Sequence, residues 1–550
     1  MDRFDWMIDN EEISLANEQS RKSIPDSLSL AQLIDVGYTG SEFISVHPLQ
    51  DSLKFFAARA RYNLRTNVIN AEDVRIIKVA DAAIYPDSGS VRILKDAQMQ
   101  TLHRAIMIAN IKSKYHQFYQ SDVSIASRKR YTGRGMLDYT DRDGVREKIE
   151  FSSIRVDSSG QTVANGVVAD SSFFKLSPEF QFRGDVTVNA SRKELNFDGG
   201  FRALSDCFRK LKPEWIKFTA DINPNRIMIP VAAQPSNMLG EPIALTLAFS
   251  NTATSLYPAF FIRKNSFSDT SMANASGMMT YNVQATEFRI ADTAKLRNLS
   301  MPGNFISFNQ TLCRMRGEGK LRLGVNGGPL DLEAFGTMDH FLINDSTHAR
   351  IALAMDFPFS EDAMQKLAAQ LVSMNLNGLD IDKTPFNTAL QAIMGAKELE
   401  RFRNELSLTG RLRKFPEQLE RTIFFGDITL HWDTASGSWL SSGPIGISII
   451  GKNQVYRYVN GMMEFTKKRN GDEFTFYLQL TGQDWYFFNY RNNILQAISS
   501  DISFNDIIID ARKSKAEQKK ADKKARGFSY TISTERKKRD FLRKFEKPDE

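Results

Sequence analysis

Apolar residues recur at every second position along much of this chain, and LSPEFQFRGDVTVNASRKELNFDGGFRAL (Leu176–Leu204) shows the pattern most clearly. Phe180, Phe182, Val186, Val188 and Ala190 alternate with other residues, with Gly184 in the same register. After Ser191-Arg192-Lys193-Glu194 the alternation resumes at Leu195, Phe197 and Phe201. A period of two on both sides of a polar break predicts an antiparallel hairpin with one apolar face. That face is expected to be core, covered by another sheet or by helices.

The same reading extends along most of the sequence. Between Asp51 and about Asp170, the segments Val74–Val79, Ile84–Tyr85, Val91–Leu94, Val123–Ile125 and Ile149–Val156 predict short strands. Pro86-Asp87-Ser88-Gly89, Asp141-Arg142-Asp143-Gly144 and Asp157-Ser158-Ser159-Gly160 separate them, and Asp and Gly tolerate the left-handed backbone that such turns need. Beyond Thr422 the alternation returns at Ile428, Leu430 and Trp432, at Ile445, Ile447 and Ile449, and at Phe474, Phe476, Leu478 and Leu480. Asn470-Gly471 between apolar segments is a strong hairpin signal. Two loose internal echoes suggest repeated β-units. One relates Gly133-x-Gly135-x-Leu137 to Gly317-x-Gly319-x-Leu321, the other Leu195 to Gly200 with Leu323 to Gly328.

Helix signals are concentrated. Ser360-Glu361-Asp362 supplies a capping serine and first-turn acids for a helix to about Asn375. Thr384-Pro385 opens a second, continuing through Ala389, Leu390, Ile393, Leu399 and Phe402. A short helix is expected over Leu204–Leu211, and Arg512–Arg526 reads as a Lys- and Ala-rich helix without a wide apolar stripe. The expected fold is mainly β: extended antiparallel sheets of repeated or curved β-units, with an inserted helical hairpin and a basic helical tail. The expected organisation is an irregular lead-in over 1–50, a β-rich region over 51–359, the helical hairpin over 360–406, a second β-rich region over 407–510 and the tail over 511–550.

Composition narrows the picture further. With 550 residues, 42% hydrophobic and 25% charged, the chain is that of a folded protein of several domains. Its 39 Phe and 15 Tyr suit strands. Cys207 and Cys313 are the two cysteines, so a disulfide framework is excluded while a single bridge stays open. No apolar run reaches the ~18 residues of a membrane helix, and the acidic MDRFDWMIDNEE is not a secretory signal. The net charge of +7 is unevenly placed: Arg512 to Lys547 holds 15 Lys/Arg against 5 Asp/Glu, leaving 57 against 60 elsewhere. The body is close to neutral, which argues against a nucleic-acid partner.

Candidate chemistry is sparse. There is no Gly-x-Ser-x-Gly elbow, and His47, His103, His116, His340, His348 and His431 are scattered. His340 and His348 flank the turn-like Asn344-Asp345-Ser346; a hairpin would bring them together for a metal, but two solvated side chains are the favoured reading. Gly317-Glu-Gly319 and Gly324 to Gly328 lack the Lys-Ser/Thr of a phosphate loop and read as bulges and turns. Asp380-Ile-Asp382 reads as a solvated acidic loop, and Trp485 to Tyr490, with Trp432 and Trp439, as sheet core. No catalytic residue, metal ligand or cofactor site is therefore assigned.

The phrases VADAAIYPDSGSVRI (79–93), RYTGRGMLDYTDRDG (130–144), GQTVANGVVADSSFFKLSPEFQFRGDV (160–186), LHWDTASGSWLSSGPIGI (430–447) and DWYFFNYRNNILQAISSDISFN (484–505) carry a resemblance. Over most of residues 40–545 the chain resembles the C-terminal part of an uncharacterised family of very large, β-rich cell-envelope proteins of Bacteroidota. The resemblance implies a longer parent chain with any export signal upstream, and supplies no active-site residues. It places the protein in the periplasm or outer membrane if the chain is part of such a parent, and in the cytoplasm if it is complete.

The expectation is a non-enzymatic envelope scaffold or assembly component that binds other proteins. The alternatives are a hydrophobic-groove protein that binds or conveys lipid or lipopolysaccharide, and a polysaccharide-active enzyme. For the tail, attachment to an anionic surface or partner is expected through Lys519, Lys520, Lys523, Lys524, Arg536, Lys537, Lys538 and Arg539, with Phe541, Leu542 and Phe545 as apolar anchors. Deleting 512–550 is expected to leave the body's fold intact.

Overall fold

Alternation in the 176–204 segment becomes the hairpin it predicts. The computed structural model describes residues 3–17, 28–36, 40–209, 211–325, 328–468, 471–513 and 527–546. In it Phe180–Asn189 pairs antiparallel with Leu195–Ala203, placing Val186 opposite Phe197 and Phe182 opposite Phe201. Gly184 and Gly199 face each other at the centre; Gly184 has φ +137°, and a Cβ there would lie 2.5 Å from the Asp198 carbonyl oxygen, so glycine is required. Phe180, Phe182, Val186, Val188, Phe197 and Phe201 are all buried. The protein is mostly β, with 49% of residues in strands and 16% helical, in large antiparallel sheets that include a curled half-barrel.

The chain divides into two compact units, the first Met1–Leu204 with Trp215–Pro230 and Asn237–Gly240, the second Ser205–Glu214, Val231–Ser236 and Glu241–Glu550. In the first, an 11-stranded antiparallel sheet runs from Ile77–Val79 to Ile216–Ile222. It is strongly curled. Tyr139 and Phe197 lie on strands four places apart, about 19 Å in a flat sheet, yet their ring centroids are 5.6 Å apart. Asp81, beside one end of the sheet, likewise accepts a hydrogen bond from the Thr162 amide at 3.0 Å. Curling lets the apolar face cover itself with Phe174, Phe182, Phe197 and Tyr139, with no helix inserted among these rings. The expected core role for this face is what the packing shows.

The described part of residues 1–50 is not an irregular lead-in. Arg3–Met7 and Glu12–Ala16 form a hairpin, with Phe4 opposite Leu15 and Trp6 opposite Ile13, and join Arg59–Asn63, Val68–Glu72 and Val91–Ile93 in a five-stranded sheet. Two strands of five residues give the alternation too short a run to stand out.

The second unit is built on one continuous sheet that runs in chain order from Gly277–Asn282 to Ser529–Ile532. It is antiparallel except for its last pair. Phe425 and Phe476, three strands apart, have ring centroids 5.5 Å apart, so this sheet is curled too. Its inner face, with Ile351, Leu353, Phe425, Ile447, Phe476 and Phe488, packs on Met364, Leu367 and Leu371 of helix Glu361–Ser373 and on Phe504 and Ile508 of helix Ile502–Lys513. A three-stranded sheet of Ala244–Ser250, Ser255–Ile262 and Thr270–Ser271 completes the unit.

Residues 357–420 are inserted between two strands that pair directly, Ser346–Asp356 and Arg421–Asp433. The expected helical hairpin is instead three helices on opposite faces of the sheet. Helix Glu361–Ser373 lies on the inner face, while Pro385–Ile393 and Ala396–Thr409 bury Phe386, Leu390, Leu399 and Phe402 on the outer face against Ala352, Ala354, Phe424 and Ile449. The crossing has a physical basis. Strand Asn453–Thr466 is paired with Glu473–Gln479 only from Asn460 onward. Its free lower edge takes residues 377–379, with the Leu379 amide donating to the Tyr456 carbonyl at 3.0 Å and the Tyr458 amide to the Asn377 carbonyl at 2.8 Å. The expected second helix breaks at Met394-Gly395, where extended backbone at both residues restarts it.

Only a four-residue 3-10 turn, Asp206–Arg209, stands where a helix over Leu204–Leu211 was expected. Of the two echoes, the first falls on two strands, Arg130–Thr140 and Arg314–Leu321. The second matches a strand with a connection, so it reflects no shared structure.

Candidate functional site

His340 and His348, for which a metal pair is not the favoured reading, are kept apart by the strand register. The hairpin around Asn344 forms, but His340 stands opposite Thr347 and His348 opposite Asp339. Neighbouring positions on a strand point to opposite faces, so the two imidazoles diverge. His340 is 1% exposed and lies 3.0 Å from Thr347 Oγ1, and burial pushes its pKa below the ordinary value. It is a core residue, not a solvated one. His348 is exposed, and its cross-strand neighbour is His431. Among the described residues, no group of three or more His, Cys, Asp or Glu is placed to hold a metal ion.

Glycine-rich phrases behave as turns and strand positions. Gly317 and Gly319 lie within strand Arg314–Leu321, and a strand, not a helix, follows Gly328. Asp380 is exposed and pairs with Lys383 at 3.1 Å, which holds its carboxyl below the usual range. In the Trp485–Arg491 strand, Tyr486 and Phe488 belong to the inner core, and Phe487 faces the outer side.

Of the tail residues, Lys519, Lys520, Lys523 and Lys524, with the expected helix from residue 514 onward, lie outside the described residues. Ser529–Ile532 pairs parallel with Ile494–Ser499 at the sheet edge, and Phe528, 1% exposed, is part of the inner core. Helix Glu535–Leu542 lies on the outer face. Phe541 packs on Phe487 with ring centroids 5.9 Å apart, and Phe545 stacks edge-on against Phe541 at 5.2 Å. Lys538 sits 3.5 Å above the Trp485 ring, Lys537 bonds Gln496, and Arg536 and Arg539 are exposed. The anchors are therefore held by the chain's own sheet.

The second unit carries a cleft of about 710 Å³ that sequence reasoning missed. Leu321, Leu323, Val325, Leu330, Leu332, Ala334 and Leu353 line it, together with Asn251, in the turn after strand Ala244–Ser250, and Thr270. The volume is in the range of small-molecule sites. At its margin stand Arg322, Lys467 and Asp331. Lys467 is paired with Asp472 at 3.1 Å, whereas Arg322 is exposed and has no ion-pair partner among the described residues. A second hollow of about 490 Å³ shares Asn251 and Lys467 with the first and adds Thr252, Thr254, Tyr490, Asn492 and Asn493.

Three contacts shape the cleft wall. Trp439, fully buried, donates from Nε1 to the Leu323 carbonyl at 3.0 Å. Gly324 adopts φ +75° against Phe249, where any Cβ would approach the ring to 2.6 Å. Phe249 in turn meets Trp432 edge-on, with centroids 5.7 Å apart. The only sequence signal was the Leu321-x-Leu323-x-Val325 alternation running past the strand end. Nothing local shows that Asn251 and Lys467 face it.

Comparison of the chain with protein-family models, with curated proteins and with solved structures gives no match.

Proposed function

We propose that this protein is a non-enzymatic binding protein of the cell envelope whose second unit takes an amphiphile, an acyl chain with an anionic headgroup, in the cleft beside Leu323 and Leu332. The observation that carries this reading is the lining itself. Leu321, Leu323, Val325, Leu330, Leu332, Ala334 and Leu353 give the cleft an apolar floor continuous with the inner core, and the exposed guanidinium of Arg322, without an ion-pair partner among the described residues, stands at its margin. An apolar tail is favoured by the floor, and an anionic head by Arg322. The Cys207–Cys313 bridge supports the envelope placement, because disulfides persist in oxidising compartments.

The test is binding of a short-chain fluorescent phospholipid below its micelle concentration. Leu332→Asp and Arg322→Glu should each weaken binding at least tenfold, Arg322→Glu with little change in melting temperature and Leu332→Asp with a lower one, since Leu332 also packs on the inner core. Wild-type affinity in both variants would overturn the reading.

A protein-binding scaffold is the second reading, favoured by the first unit. Its curled sheet is filled by its own rings, as around Phe182, leaving its other face for a partner. Affinity purification in which a stoichiometric protein partner survives lipid extraction would favour it over the first.

A further inference from the structure

The antiparallel order of the second unit's sheet puts alternate connections at one end. These are the turns 283–286, 310–313, 342–345, 434–437, 467–472 and 492–493, between the pairs Asn282–Glu287, Asn309–Arg314, Phe341–Ser346, Asp433–Ser438, Thr466–Glu473 and Arg491–Ile494. Three consecutive turns each carry one bare aliphatic side chain: Val283 is 55% exposed, Leu312 47% and Ile343 77%. Successive turns lie two strands apart, about 10 Å, so the three form a row of separate knobs.

The first four of these turns carry little charge, whereas the fifth holds Lys467, Lys468, Arg469 and Asp472. The sixteen residues of the first four contain one charged side chain, Asp345, where the 25% charged content of the chain would give about four. Their backbone donors are partly satisfied from within. Asn282 Oδ1 accepts from the Ala285 amide at 2.8 Å, Asn309 Oδ1 from the Leu312 amide at 2.8 Å, and Asp433 Oδ2 from the Ser436 amide at 2.8 Å. That lowers the cost of taking the turns out of water. Cys313, bonded to Cys207, holds the Leu312 turn in place.

From this we infer that the hairpin rim docks on a lipid bilayer, with Val283, Leu312 and Ile343 entering the headgroup–acyl boundary. A bilayer fits better than a protein partner. Protein interfaces concentrate their energy in a central, contiguous, desolvated cluster, whereas a fluid bilayer surrounds isolated aliphatic knobs one at a time. Over the first four turns the match of charge is between nearly uncharged residues and an uncharged interior, where ionised side chains are costly. Lys467 of the 467–472 turn also lines the cleft, whose main wall over 321–325 and 330–334 lies at the other ends of strands Arg314–Leu321 and Asp331–Phe341, so the rim and the cleft are separate features.

The experiment is flotation of the full chain with phosphatidylethanolamine–phosphatidylglycerol vesicles at high salt, which screens attachment through the basic tail. Wild type should float, and the triple variant Val283→Asp/Leu312→Asp/Ile343→Asp should lose at least tenfold in partitioning. Because these side chains are exposed, the variant's melting temperature should be unchanged. If it folds poorly, Ile343→Trp decides: its extra emission should shift to the blue on adding vesicles. Equal flotation of wild type and triple variant, no flotation of wild type, or an unshifted Ile343→Trp emission would overturn the inference. Monomeric lipid binding without vesicles separates the two proposals: the triple variant should retain it, and Leu332→Asp should lose it while still floating.

Discussion

Cys207 and Cys313 are bridged with their Cα atoms 5.5 Å apart, although 106 residues separate them in the chain. Cys207 lies in the segment Ser205–Glu214, which belongs to the second unit and is cut off from its remainder by strands of the first. Phe208, one residue on, packs among Phe260, Phe288 and Phe308, with centroid distances of 5.3, 6.1 and 4.6 Å. The bridge and this cluster together tie a long excursion back to its own unit.

Reduction should therefore destabilise the second unit. A loop of this length corresponds to about 4–5 kcal/mol on the chain-entropy scale, an upper value. Denaturant unfolding with and without dithiothreitol should show a lower midpoint in the reduced protein. Cys207→Ala/Cys313→Ala should match the reduced wild type and ignore the reductant. Identical midpoints in all samples would show that the bridge carries no stability.

Phe182 is expected to be among the most sensitive positions in the first unit. Its ring contacts Phe174, Phe197 and Phe218, with centroids at 6.2, 4.9 and 5.9 Å. Phe182→Ala should cost about 3–5 kcal/mol. Val167→Ala, on a strand of the same sheet but 63% exposed, should stay within about 0.5 kcal/mol. Chemical denaturation of the two variants checks the contrast; a mild effect at Phe182 would mean that the curled interior is loosely packed.

Stability should fall on mild acidification, and His340 should be one cause. Burial lowers its folded-state pKa below 6.5, and Asp345, 3.7 Å from Nε2, opposes this only in part. The unfolded chain therefore takes up the proton first. Stability is flat above the unfolded value of about 6.5 and declines as the pH drops from there toward the folded pKa. His116, buried and 2.7 Å from the Arg192 carbonyl, shifts in the same direction. His340→Gln should flatten the decline between pH 7.5 and pH 5 in part. A slope identical to wild type would remove His340 from the account.

Truncation before residue 527 should harm the fold, contrary to what composition alone suggested for the tail. It removes Phe528 from the inner core, strips the strand that covers Ile494–Ser499, and exposes Phe487. Phe541→Ala should by itself cost about 3 kcal/mol or somewhat less, the low end for a buried Phe, because its site lies at the sheet's outer face. A thermal melt of each protein checks this, and an unchanged melt in the truncated chain would show the tail to be an appendage after all.

Fold class was legible because the signal is local: the period-two runs at Phe180–Val188, Ile445–Ile449 and Phe474–Leu480 set which side chains share a face. The capping serine at 360 and the proline at 385 marked two helix starts for the same reason, since a cap acts within one turn. What the sequence could not determine depends on partners far along the chain. Curling brings Tyr139 to Phe197, and a free length of strand near Tyr456 draws residues 377–379 through and sends the inserted helices to opposite faces. The cleft belongs to this second kind, because Asn251, Leu332 and Lys467, far apart in the chain, meet only in the folded unit. Side-chain periodicity is a property of neighbouring residues, whereas concavity arises from strands stacked across hundreds of positions, so only the tertiary structure decided where a ligand would fit.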